Sequence, residues 1–475
     1  VGKKFDETHQ EFKERVIDPI SPSFCAAKWY TAHIQLGSGK TKSCHHPPDH
    51  KIPVQEVKFD PSALHTTSYK KQQQKVMLTG QRPSECSYCW QIEDMEGDSV
   101  SDRTFKTSMF SDEDIAQIPL AMMKGETLPL KRLEISFDRI CNFACAYCNP
   151  SFSTKWGGDI KKHGIYEGLE LPHSYDQDGS WAEPYGMMNM DNPYIEAFWK
   201  WWPELSTTLE ELRVTGGEPT MSPHFWALMD YMLEEGFNPN MVFGVNTNLS
   251  MKKDVLEQFI ETAGKIPRFK LYTSCESWGA EAEYMRDGLN YEQWLLNLSH
   301  FLESRNSEMT HIMMCVNALS LSSTGDFCYD MMEYKKHYGP RHPFLSVNLL
   351  HYPQFMSPLV LPKDLRTAAI AHTEYWFDEA RKTDLLSSVE EESISRMIDY
   401  VKNGKPSFDV DKARRDFYFF FKQYDQRRGK SFADTFPAPV VEWYEDLGIE
   451  YGDLVEDDSG VVPASKEAER SAEEN

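Results

Sequence analysis

The stretch Leu133-Glu134-Ile135-Ser136-Phe137-Asp138-Arg139-Ile140-Cys141-Asn142-Phe143-Ala144-Cys145-Ala146-Tyr147-Cys148 decides the fold. Its first five residues alternate apolar and polar, the period of a strand with one face buried. Its end carries three cysteines spaced C-x3-C-x2-C. A strand that runs straight into such a loop collects three soft ligands at one strand end. Iron–sulfur clusters are normally held by four cysteine thiolates, so three leave one iron with an open position, much as a catalytic zinc keeps one. On spacing alone, a structural zinc site or ordinary buried thiols remain alternatives.

Outward from this loop, strands alternate with helical stretches, the pattern of a parallel sheet covered by helices. Strands are expected at 133–137, 211–215, 241–247, 269–274, 311–317 and 344–350. Helices are expected between them at 225–235, 253–263, 291–304 and 327–337, each with apolar residues near i, i+3 and i+4. Six such units over 130–352 predict an α/β fold built as a partial (β/α)6 TIM-like barrel. The long gap after the first strand holds Trp156, Trp181, Trp199, Trp201 and Trp202, which reads as an insertion beside the barrel mouth. From 353 to 450 the periodicity is helical, at 368–381, 390–402 and 411–426, and predicts a C-terminal cap. The acidic tail 451–475 reads as disordered.

A C-x3-C-x-aromatic-C loop after a barrel's first strand resembles the signature of the radical S-adenosylmethionine (SAM) superfamily. The resemblance implies a 4Fe-4S cluster on Cys141, Cys145 and Cys148, with SAM chelating the open iron and Tyr147 shielding the cluster beside the adenine. Further segments fall where that family would place them. Gly216-Gly217-Glu218-Pro219, ending the second strand, resembles the motif that holds the methionyl ammonium. Glycine suits it because only a residue without Cβ lets main chain approach so closely; a plain turn is the alternative. Asn246 and Asn248 end the third strand, at the edge where barrel ligands bind. Ser274 and Glu276, at the end of the fourth, would meet the SAM carboxylate and ribose by the same resemblance. Arg286 matches a family arginine that pairs with that carboxylate. The commoner family wording has Asp near Glu276, which puts the ribose contact in doubt. Cys275 reads as a small buried hydrophobe, and Asn317 as either an adenine contact or a turn cap.

Cys25, Cys44, Cys86 and Cys89 form a second group in a polar, Pro-rich segment with little apparent core of its own, so a small metal-held module is expected over 1–110. A connector containing Arg103 and Met122 would follow it. The module resembles the auxiliary-cluster domain called Twitch, a shortened SPASM domain, placed here before the barrel. This implies a second 4Fe-4S cluster; a four-cysteine zinc site is the alternative. His45 and His46 are further candidate ligands beside Cys44, or solvated loop residues.

Composition narrows the partners. Fifty basic against seventy-four acidic side chains give a net charge of −24, which repels phosphate backbones and makes a nucleic-acid substrate the least favoured. No apolar run approaches the length of a membrane span, and the polar start 1–14 lacks the apolar core of a secretory signal. The absent initiator Met suggests processing or trimming. Ten cysteines without an export signal fit reduced thiols and a cytoplasmic protein. As the resemblance implies, the enzyme would cleave SAM reductively to a 5′-deoxyadenosyl radical, fed by a flavodoxin- or ferredoxin-like electron donor. That radical would take hydrogen from a substrate, a peptide or protein in most relatives with auxiliary clusters. A small metabolite or nucleotide is the runner-up, and a degenerate iron–sulfur carrier or scaffold the non-enzymatic alternative.

Overall fold

The computed structural model describes residues 3–4, 6–95, 100–176 and 191–452. Trp181 and almost all of the acidic tail, from 453 onward, lie outside them. In chain order the strands are β1 Thr31–Gln35, β2 Lys40–Lys42, β3 His50–Lys51, β4 Arg132–Ser136, β5 Ala144–Cys145, β6 Glu211–Thr215, β7 Val242–Thr247, β8 Phe269–Ser274, β9 Arg286–Asp287, β10 Met309–Val316 and β11 Phe344–Leu349. Nine of them form one sheet in the order β11-β10-β8-β7-β6-β4-β1-β2-β3. From β11 to β1 every neighbouring pair is parallel, and β2 and β3 add an antiparallel edge. This is a mixed α/β fold with a central, mostly parallel sheet.

All six expected strands are present and lie side by side in chain order. Their alternation sorts the side chains. Leu133, Ile135, Leu212, Val214, Phe243, Val245, Phe269, Leu271, Ile312 and Met314 are buried in one continuous core. Each such side chain contributes about 1.5–3 kcal/mol by leaving water. The opposite, half-exposed positions carry polar groups, among them Glu134, Ser136, Arg213, Thr215, Tyr272, Ser274 and His311. The helices Pro223–Glu235, Lys253–Ala263, Tyr291–Glu303 and Thr324–Tyr338 supply the apolar side chains that cover the first face.

The order of strands differs from a ring. β11 is one edge of the sheet, and β4 takes β1 on its other side, with His33 opposite Glu134 and Gln35 opposite Ser136. The N-terminal segment therefore continues the sheet instead of standing apart from it. It also has a core of its own: Phe12, Ile17, Phe24, Trp29, Tyr30, Met77, Trp90, Phe110, Ile115 and Ile118 are buried together. Arg103, read as part of a connector, lies inside this segment. Its guanidinium pairs with Glu93 and donates to the carbonyls of Phe24 and Pro22.

The long connection after β4 holds a regular crossover helix, Pro193–Thr208, capped by Asn192 and carrying Trp199, Trp201 and Trp202. Trp201 and Trp202 are core residues, so only Trp156 of the described tryptophans in that stretch packs beside the cysteine loop. Helices Lys363–Ala380, Ser388–Asn403, Val410–Arg428, Phe432–Thr435 and Ala438–Tyr451 follow β11 among the described residues. The second of these closes the β11 edge: Glu390 accepts the Leu345 backbone N–H at 2.8 Å and pairs with Lys335 at 2.7 Å, both side chains fully buried. A covered edge cannot recruit another strand. No helix among the described residues is long and apolar enough to cross a membrane.

Candidate functional site

Because the strands run parallel, the ends of β4, β6, β7 and β8 share one edge, and the cysteine loop lies across it. Cys141, Cys145 and Cys148 are half-buried, and Cys145 is close enough to influence the thiols of both Cys141 and Cys148. Burial pushes the Cys141 thiol up to about 12, with Cys145 adding to the rise. The loop is tied down at several points. Cys145 pairs with Arg286 in the short β5–β9 ladder, and the Ala146 N–H donates to the Met285 carbonyl at 2.7 Å. The Trp156 indole N–H donates to the Cys145 carbonyl at 2.9 Å, and the Tyr175 hydroxyl donates to that of Ala146 at 2.7 Å. Phe420 of the helix Val410–Arg428 packs on Tyr175 and Tyr166, so C-terminal helix and post-β4 segment seal the outer side of the loop.

The Gly216-Gly217-Glu218-Pro219 turn sits directly under the loop's stem. A Cβ on Gly217 would stand 2.3 Å from the Ile140 carbonyl oxygen and 2.6 Å from the Arg139 carbonyl carbon. Gly216 has φ +132°, and a Cβ there would meet the Asp138 carbonyl oxygen and the Ser136 hydroxyl, both at 2.9 Å. The glycines are therefore required by main chain packing on main chain, whatever ligand lies beyond. The Glu218 N–H donates to the Ile140 carbonyl at 2.6 Å. Its carboxylate is buried, which raises its pKa; Oε1 accepts from the Thr220 N–H and hydroxyl and from the Thr247 hydroxyl, and Oε2 accepts the Asn248 N–H at 2.6 Å. With about four lone-pair directions on a carboxylate, Oε2 retains one. Pro219 is buried in the same turn. The Asn248 amide bridges to Asn142 in the cysteine loop at 2.7 Å.

Glu276 and Arg286 meet each other. Their side chains pair at 2.5 Å with 1% and 6% exposed, and the Tyr147 hydroxyl donates to the other Glu276 oxygen at 2.7 Å. Arg286 Nε is buried without a hydrogen-bond partner. Ser274 ends β8 at a half-exposed position one step from this cluster. Asn246 lies lower on the polar face, where it accepts from Arg213 at 2.7 Å. Asn317 caps the turn after β10, accepting the Leu319 N–H at 3.0 Å. Cys275 is fully buried and its thiol faces the Ser277 carbonyl.

The helix Gly279–Met285, which delivers Arg286, is anchored by Glu281 to Ser322 and Ser323 at 2.9 and 2.5 Å. Burial pushes the Glu281 carboxyl up from the ordinary 4.5 to about 7. A carboxyl raised on folding gives its full stability below the unfolded pKa and loses it as pH rises through the folded one. Glu281→Gln is therefore expected to raise the melting temperature at pH 8, by a free energy of about 1–3 kcal/mol, and to change it little at pH 4.5; thermal melts at both values check this.

Cys25, Cys44, Cys86 and Cys89 line one cavity together with Lys28, His46 and Arg103. Lys28 is buried and pairs with Glu85. His46 hydrogen-bonds Asp102 at 2.8 Å and stacks on Tyr88, while His45 is turned to solvent and Lys106 also reaches Asp102. Among the described residues, His45, His46 and Asp102 are the only three His, Cys, Asp or Glu residues whose ligand atoms all lie within 4.8 Å of one another. Neither cysteine group gathers three sulfurs that tightly.

Between the two groups runs a cleft lined by His33, Lys42, His45, Glu134, Asp138 and Arg139. His33 Nδ1 lies 3.2 Å from Glu134, its register partner across β1 and β4. Further along the same face, Arg213 lies over the Tyr272 ring and Tyr272 stacks on His311. Apart from His45, none of these residues stands out in the sequence as a candidate, because each is a lone polar or aromatic side chain outside any motif. The signal for them was charge at the polar positions of otherwise alternating strands, in Arg132-Leu133-Glu134 and Glu211-Leu212-Arg213.

No protein-family model matches the chain, and no curated protein matches it in sequence. Among solved structures it is similar to native anSMEcpe with bound AdoMet, at 16% identity over 59% of this chain and 68% of that one, with a TM-score of 0.34. It is likewise similar to Streptococcus suis SuiB bound to S-adenosylmethionine, at 12% identity over 74% and 69% of the two chains, with a TM-score of 0.34. A third such structure is Streptococcus suis SuiB bound to precursor peptide SuiA, at 12% identity over 66% and 60%, with a TM-score of 0.28.

Proposed function

We propose that the chain is a radical SAM enzyme acting on a peptide or protein, with a 4Fe-4S cluster on Cys141, Cys145 and Cys148 and a second one on Cys25, Cys44, Cys86 and Cys89. The observation that carries this reading is the cysteine loop lying across the edge of the parallel sheet, directly on the Gly216–Glu218 turn. A four-thiolate zinc, with Zn–S near 2.3 Å, would draw its sulfurs to about 3.8 Å apart. Four thiolates at the second group would also suit such a zinc, and iron and zinc analysis of the purified protein separates the two. Three ligands at the first group leave a position open for SAM, and four at the second do not.

When bound, the first cluster supplies the electron that cleaves SAM to methionine and a 5′-deoxyadenosyl radical. The chain's own residues position and enclose. The remaining lone pair of Glu218 Oε2 suits an ammonium donor, and the unpartnered Arg286 Nε a carboxylate oxygen. Ser274, Asn246 and Asn248 line the neighbouring strand ends. Trp156, Tyr166, Tyr175 and Phe420 exclude water from the outer side of the loop. The cleft between the two cysteine groups is where the substrate would lie. Its mixed donors and acceptors suit the amides and side chains of a peptide.

The test is anaerobic reconstitution with iron and sulfide, reduction with dithionite, and measurement of 5′-deoxyadenosine formed from SAM. Formation of product supports the reading, and a search for substrate by deuterium transfer into deoxyadenosine then follows. No product from a protein that has taken up its iron, with candidate peptides present, would favour an electron carrier or scaffold.

A further inference from the structure

Each cysteine group has a buried cation held against it by a buried carboxylate. At the first, Cys145 and Arg286 are direct partners in the antiparallel β5–β9 ladder. Residues directly opposite in such a ladder project their side chains to the same face, so the guanidinium is delivered beside the Cys145 sulfur. Glu276 holds it there by the 2.5 Å pair and is itself fixed by the Tyr147 hydroxyl. The ladder thus places the cation beside the sulfur, and the carboxylate pairs with that cation.

The second group repeats the arrangement with different residues. Lys28 follows Cys25 by three positions, Glu85 immediately precedes Cys86, and the two pair while fully enclosed, 2% and 6% exposed. Lys28 lines the same cavity as the four sulfurs. Glu85 does not line it. Two unrelated segments have thus placed a cation toward sulfur and an acid behind it.

We infer that Arg286 and Lys28 are positioning charges that raise the reduction potentials of the groups held by Cys141, Cys145 and Cys148 and by Cys25, Cys44, Cys86 and Cys89. This rests on the iron–sulfur reading above. Net charge, hydrogen bonding and exposure set the potential of such a cluster, and a cation in a water-poor site favours the more negative, reduced state. Arginine cannot shed its proton in response, so its effect persists through reduction. Glu276 and Glu85 keep the cations in place and offset part of their field.

The two members of each pair must then act with opposite sign, which a merely structural role would not produce. In the reconstituted full chain, redox titration followed by electron paramagnetic resonance reads each potential, with the signals assigned by Cys→Ala variants of either group. Glu276→Gln is expected to shift the first potential upward, because Arg286 is left uncompensated, and the double variant Glu276→Gln/Arg286→Gln to shift it below wild type. Glu85→Gln and Glu85→Gln/Lys28→Gln are expected to do the same to the second potential alone. They keep the comparison available if the first pair's double variant fails to fold. Shifts of the same sign, or no shifts, at the pair that can be measured would overturn the inference while leaving SAM cleavage by the wild type intact. A wild type that takes up no iron would overturn the iron–sulfur reading and this inference together.

Discussion

Replacing Cys141, Cys145 and Cys148 together by alanine is expected to abolish 5′-deoxyadenosine formation and to lower bound iron by about four atoms per chain. The loop gains its backbone order from other groups: the β5–β9 ladder, the Trp156 and Tyr175 bonds to its carbonyls, and the Asn142–Asn248 contact. Three small side chains at half-buried positions leave these in place, so the far-ultraviolet circular dichroism and the melting temperature of the iron-free protein should stay near wild type. A quadruple Cys25, Cys44, Cys86 and Cys89→Ala variant should lose the other four irons. Its cost to folding should be larger, since Cys25 and Cys89 belong to the buried core of the N-terminal segment. Iron and sulfide analysis beside product measurement separates the two groups. Undiminished deoxyadenosine from the triple variant would end the proposed assignment.

Gly217→Ala is expected to be among the most damaging glycine-to-alanine changes at the described positions. The new carbon would stand 2.3 Å from the Ile140 oxygen and 2.6 Å from the Arg139 carbonyl carbon, both backbone atoms that no rotamer change can move aside. Relief requires separating the turn from the loop stem, which breaks the 2.6 Å bond from the Glu218 N–H to the Ile140 carbonyl. Overpacking of this kind costs about 1–3 kcal/mol or more, and the displaced loop should take up less iron. Gly158→Ala is the control. It lies exposed within the helix Thr154–His163 with open space around its would-be Cβ, and it should stabilise by about 0.5–1 kcal/mol. Differential scanning calorimetry and iron analysis of the two variants would settle the comparison; equal stability in both would show that the turn yields more easily than its backbone contacts imply.

Much of the sheet was legible because its strands are amphipathic. Alternation in Arg132–Ser136 and Glu211–Thr215, and the apolar spacing of Lys253–Ala263 and Tyr291–Glu303, depend on neighbours a few residues away. Local patterns of that kind survive in a linear reading. β1 was overlooked although Thr31-Ala32-His33-Ile34-Gln35 alternates just as well, because the surrounding prolines and cysteines pointed to a metal-held module. The segment's core was also underestimated. Its apolar residues are gathered from positions 12 to 118, too far apart for any window to connect.

By itself, the sequence determined the parallel α/β alternation, the cysteine loop at the end of its first strand in that series, and the glycine turn at the end of the next. Each is written in a short run of adjacent residues. Only the tertiary structure decided that β1 extends the sheet beyond β4, that Glu276 binds Arg286 rather than standing free, and that His33 and Glu134 share a cleft between the two cysteine groups. Those relations join residues separated by 10 to about 100 positions, and they are fixed by strand register and by the requirement that buried charges find partners.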